Sequence, residues 1–68
     1  MKADRNKIYM AMARACLTSR ELAKKAEMPS SSISNVIAGR SVRPATLGRV
    51  AKALGVSVSE ILEEPGEL

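Results

Sequence analysis

A compact all-α domain of five short helices is the fold that this sequence predicts. Three observations lead to it. Hydrophobic residues make up 46% of 68 residues, yet Tyr9 is the sole aromatic, so Leu, Ile, Val, Met and Ala must build the core. Apolar residues recur at helical rather than strand spacing. Turn clusters are few and helix-capping patterns are several, which argues for an all-α bundle. A chain of this length buries only about 60% of its unfolded surface, so the core is small. With Cys16 as the only cysteine, no intrachain disulfide can reinforce it. We expect one domain over residues 1–68, ordered from about 5 to 63, with residues 1–4 loose and order ending at Pro65-Gly66.

The first helix is expected over residues 5–15, with Ile8, Met12 and Ala15 on one face at i, i+4, i+7 spacing. The second opens at Thr18, whose hydroxyl precedes Glu21 by three residues in the reciprocal capping-box pattern. Leu22, Ala23 and Ala26 form its buried stripe. Glu27-Met28-Pro29 interrupts it, because proline lacks a backbone donor and disfavours helix in the residue before it. A third helix runs over about 30–38, with Ile33, Val36 and Ile37 inward and Gly39 as a left-handed cap. Helices joined by so short a turn cross steeply, which is helix-turn-helix geometry. Pro44 suits the first turn of a fourth helix, which buries Leu47, Val50, Ala51 and Leu54 and stops at Gly55. Ser57 with Glu60 is a second capping box, expected to start a short fifth helix through about residue 63.

Charge is unevenly spread. Residues 1–52 carry eleven Lys/Arg against three Asp/Glu, whereas residues 53–68 carry four Glu and no base. The net +4 points softly to polyanions. Arg14 cuts short the apolar run Ile8 to Ala13, so neither a signal peptide nor a membrane span is expected. The lone cysteine fits a reducing compartment, and the expected location is cytoplasmic.

Leu17-Thr18-Ser19-Arg20-Glu21-Leu22-Ala23, Ile33-Ser34 with Val36 and Gly39-Arg40, Arg43-Pro44 with Leu47, and Leu54-Gly55-Val56-Ser57, in this order and spacing over residues 8–62, resemble the motifs of the Cro/phage-repressor (Xre-type) helix-turn-helix family. The first resembles the family's L-T-Q-x-E-L-A opening. The second resembles I-S-x-I-x-x-G-K/R. The last two resemble R-P-x-x-x-L and A-L-G-V-S. The resemblance implies a lambda-repressor-like domain whose third helix enters the major groove of double-stranded DNA while the second lies across the backbone.

Carried over position by position, it implies base contacts from Ser30, Ser31, Ser34 and Asn35, with Asn35 best equipped because its amide can bond adenine N6 and N7 together. It implies phosphate contacts from Thr18, Ser19 and Arg20 at the start of helix two, and from Arg40, Ser41 and Arg43 after helix three. Related proteins bind as two-fold dimers, and Val58, Ile61 and Leu62 offer apolar surface for a homodimer. The chain departs from the family at three places. Ser19 replaces a common Gln; Cys16 and Glu27 replace glycines at turns, so that the second turn is expected to differ in shape and Cys16 to be a small buried or half-buried residue. Many relatives also hold helix one to helix three with a buried arginine–glutamate pair, where this chain has Met12 and Ile37. Exchanging both partners of such a pair for apolar residues is often neutral or stabilising, so Met12 and Ile37 are expected to touch.

Enzymatic chemistry finds little support. There is no His, one Cys cannot make the usual zinc site, the glycines are isolated, and Ser30 to Ser32 have no base nearby. No cofactor, metal or small-molecule ligand is expected. The leading expectation is a sequence-specific DNA-binding regulator, most simply a repressor. The rival is an antitoxin or anti-repressor module that keeps the fold and works through a partner protein, using the acidic C-terminal stretch. Single-stranded nucleic acid is disfavoured because base stacking needs aromatics beyond Tyr9.

Overall fold

The computed structural model describes residues 1–63. The Pro65-Gly66 stop and the last glutamates of the acidic stretch lie outside them. Four α-helices follow one another: α1 (Arg5–Ala15), α2 (Ser19–Ala26), α3 (Ser30–Ile37) and α4 (Pro44–Leu54), then a single 3-10 turn at Val58–Glu60. The α2–α3 pair is the expected helix-turn-helix. Helix α2 packs on both α3 and α4, and α4 also meets α1 and the 3-10 turn. Ile8, Leu22, Ile33, Val36, Leu47, Val50 and Ile61 are its largest fully buried side chains. Among the described residues no polar or charged side chain is buried.

All four helices end in the same way. The residue after each last turn is left-handed: Cys16 (φ 59°), Glu27 (φ 58°), Gly39 (φ 80°) and Gly55 (φ 73°). The next N–H reaches back to a carbonyl of the final turn: Leu17 to Met12, Met28 to Ala23, Arg40 to Asn35, Val56 to Ala51, at 2.9–3.0 Å. This is the Schellman closure, which satisfies carbonyls that a helix end would leave open. Gly39 and Gly55 adopt it without steric penalty. Glu27 keeps the shape that a glycine gives elsewhere, so the turn is not differently shaped, as expected from sequence, but merely more costly. Cys16 does the same, and it is exposed rather than buried or half-buried.

Three further expectations are corrected. The fifth helix is only the 3-10 turn, because Leu62 leaves it to form an antiparallel bridge with Ala3. Residues 1–4 are not loose. Asp4 N–H donates to the Ile61 carbonyl (2.8 Å), Glu63 N–H to that of Lys2 (2.9 Å), and Val42 N–H to that of Met1 (2.7 Å). Ala3 is buried, and the Asp4 carboxylate caps α1 by accepting from Lys7 N–H at 3.0 Å. On α1 the buried face is Ile8, Ala11 and Met12, with Ala15 only half-buried.

Candidate nucleic-acid interface

Helix α2 begins as its sequence dictates. Glu21 N–H donates to Thr18 Oγ1 (3.1 Å) and Thr18 N–H to Glu21 Oε1 (2.9 Å). The Thr18 backbone bond, then the bond between the Thr18 side chain and Glu21, hold the Glu21 carboxyl below its ordinary value. The box leaves Thr18, Ser19 and Arg20 exposed at the opening turn of α2.

Helix α3 opens differently. Its cap residue is Pro29, which has no side-chain acceptor, so none of the three serines is spent on capping. Ser32 and Ile33 N–H both turn back to the Pro29 carbonyl, at 3.0 and 3.3 Å. The first N–H groups and the positive end of the helix dipole therefore face outward, the arrangement that suits an anion such as phosphate. Ile33 and Val36 anchor the inner side, which leaves Ser30, Ser31 and Ser34 exposed on the outer side and Asn35 half-buried.

The two helix starts converge. Ser19, Arg20, Ser30, Ile33 and Ser34 border one shallow groove, so residues expected at phosphate and at bases share a surface. After α3 the loop leaves Arg40, Ser41 and Arg43 exposed. Arg43 borders a second depression with Pro29 and Ser32, near the start of α3. Arg40 stays at the far end, where its Nη1 donates to Asn35 Oδ1 at 3.0 Å. The loop thus flanks α3 with an arginine at each end.

Two residues at this surface escaped the sequence reading. Arg5 Nε donates to the Ile37 carbonyl (3.4 Å), bringing a second arginine, beside Arg40, to the C-terminal end of α3. Tyr9, 49% exposed, borders with Arg5, Ser19 and Ser34 a depression between α1 and α3. Arg5, Tyr9 and Met12 recur at i, i+4, i+7, which marks one face of α1, but only the tertiary fold says that this face meets α3. Met12 is buried, Ile37 is half-buried against the core, and both border that same depression.

For the dimer surface the structure removes one residue. Ile61 is fully buried in the chain's own core, while Val58 and Leu62 are half-buried against it.

Four helices, with an exposed polar edge on the second helix of a helix-turn-helix, have the architecture of a helix-turn-helix DNA-binding domain. A helix-turn-helix family model matches residues 9–61, and the chain belongs to this Cro/C1-type family of DNA-binding regulators. No curated protein sequence matches the chain. A solved structure of a hydroxyethylphosphonate dioxygenase mutant is similar over 98% of this chain, with a TM-score of 0.83 and 22% identity. This chain covers 15% of that protein, and the likeness shows the fold alone. Among the described residues no helix is long and apolar enough to cross a membrane. Nor do they contain a group of three or more His, Cys, Asp or Glu able to hold a metal ion.

Proposed function

We propose that the chain is a sequence-specific transcriptional repressor that binds a two-fold operator in duplex DNA as a homodimer. The observation that carries this reading is the start of α3, which has no side-chain cap and whose Ser30 and Ser34 share a groove with Ser19 and Arg20. Ser30, Ser31, Ser34 and Asn35 face base edges, while Thr18, Ser19, Arg20, Ser41 and Arg43 hold phosphates and fix the register. Arg40 stands among these phosphate contacts by position, although one of its N–H groups is already engaged. Repression follows from occupying the operator and excluding polymerase. Two copies on half-sites about 34 Å apart double the contact surface, and the uncovered parts of Val58 and Leu62 are the apolar surface left for joining them. A protein working on chromosomal operators acts in the cytoplasm.

Selection of bound sequences from random duplex DNA tests binding, symmetry and spacing together, with sedimentation at micromolar concentration reading the oligomeric state. If a protomer neutralises about 4–6 phosphates, log K falls against log salt with a slope of roughly −4 to −5 per protomer. Arg20→Ala and Arg43→Ala each flatten that slope by about 1 without changing the selected sequence. Absence of any DNA retention at low salt overturns the proposal and favours the protein-interaction module.

A further inference from the structure

The Schellman closure places the third residue from a helix end beside the second residue beyond it, and an apolar contact frequently joins the two. Three of the four closures follow that habit. Leu17 stands opposite Met12, Met28 opposite Ala23 and Val56 opposite Ala51, all packed on or within the core. At the end of α3 the same backbone geometry pairs Arg40 with Asn35, and here a hydrogen bond replaces the apolar contact. The backbone bond from Arg40 N–H to the Asn35 carbonyl (3.0 Å) holds the two residues together before any ligand arrives.

A guanidinium can only donate, so the amide atom facing it is the oxygen. Asn35 therefore turns its NH2 group away from Arg40. We propose that Arg40 is a positioning residue that makes Asn35 a reader of guanine rather than adenine. This rests on the proposal that α3 lies in the major groove. Adenine shows one acceptor (N7) and one donor (the N6 amino group) there, and a free asparagine matches both. Guanine shows two acceptors, N7 and O6. With a cation at Oδ1, Asn35 offers the base the N–H groups of its amide rather than its oxygen. An adenine amino group approaching the remaining lone pair of Oδ1 would meet a positive charge and hydrogens of its own polarity. The acceptor atoms of guanine meet neither.

The test is selection from random duplex DNA with the wild type, Arg40→Ala and Asn35→Ala, each shown to be folded by circular dichroism. The wild type should select guanine at one position of each half-site. Arg40→Ala frees Oδ1 and should move the guanine-to-adenine ratio at that position by about tenfold toward adenine, leaving the other positions unchanged. Asn35→Ala should abolish preference there. Adenine selected by the wild type, or guanine retained by Arg40→Ala with a uniform loss of affinity, overturns the inference but leaves the regulator proposal standing. Guanine retained by Asn35→Ala overturns it by making Arg40 the reader itself. No duplex binding by the wild type overturns both.

Discussion

Ala3 and Leu62 face each other across an antiparallel bridge that joins the segment before α1 to the segment after the 3-10 turn. Ala3 is 1% exposed, so its methyl group is a member of the core. Ala3→Leu should overpack that site and lower unfolding free energy by about 1–3 kcal/mol. Urea denaturation reads the change. A variant as stable as the wild type would mean that the bridge opens readily in solution.

Ile61 lies one residue from that bridge and is 0% exposed. Truncation to alanine should cost about 2–5 kcal/mol, a large share of the stability of a domain this small. Because the side chain is enclosed by its own protomer, the loss in melting temperature should not vary with protein concentration. A loss that shrinks as concentration rises would return Ile61 to a subunit interface.

The left-handed backbone at Glu27 and Cys16 has a measurable cost. For a residue with a Cβ that conformation is disfavoured by roughly 1–2 kcal/mol, and glycine recovers part of it while adding unfolded-chain entropy. Glu27→Gly and Cys16→Gly should each raise stability by about 0.5–1 kcal/mol, measured by thermal unfolding. The reverse exchange, Gly55→Ala, should lower it. A fall in stability on Glu27→Gly would show that its side chain makes a contact worth more than the strain.

The capping box makes one part of stability pH-dependent. Its bonds to Thr18 lower the folded-state pKa of Glu21, so the unfolded chain takes up that proton first as the pH drops. The contribution is complete at neutral pH. It starts to fade near the ordinary glutamate value of about 4.3 and is lost once the pH falls below the lowered folded value. Glu21→Gln keeps an acceptor for Thr18 N–H but cannot titrate. The gap between wild type and Glu21→Gln should therefore shrink on acidification; a constant gap from pH 7 to about pH 3 would show that the charged form is not favoured by folding.

Local chemistry made most of this fold legible in advance. The helical spacing of α1, the Thr18 box, the break at Pro29, Pro44 at the first turn of α4 and the stop at Gly55 follow from residue types a few positions apart. What escaped depends on partners far along the chain. The segment before α1 is fixed by residues 42 and 61–63, and nothing in Met1-Lys2-Ala3-Asp4 announces that. The same pairing truncated the fifth helix. At the interface, the exposed serines could be located from the pattern of α3, whereas the bond between Arg40 and Asn35 could not. It depends on how Gly39 turns the chain, and the Gly-Arg motif by itself suggested only a loop cation.

The all-aliphatic interior has a practical consequence. With no charge sealed inside the described part of the molecule, ionic strength acts on the outer rim alone, where the arginines are. A concentrated electrolyte should strip the protein from a nucleic-acid column in native form, and dilution should restore retention. Loss of grip and loss of shape can therefore be titrated separately.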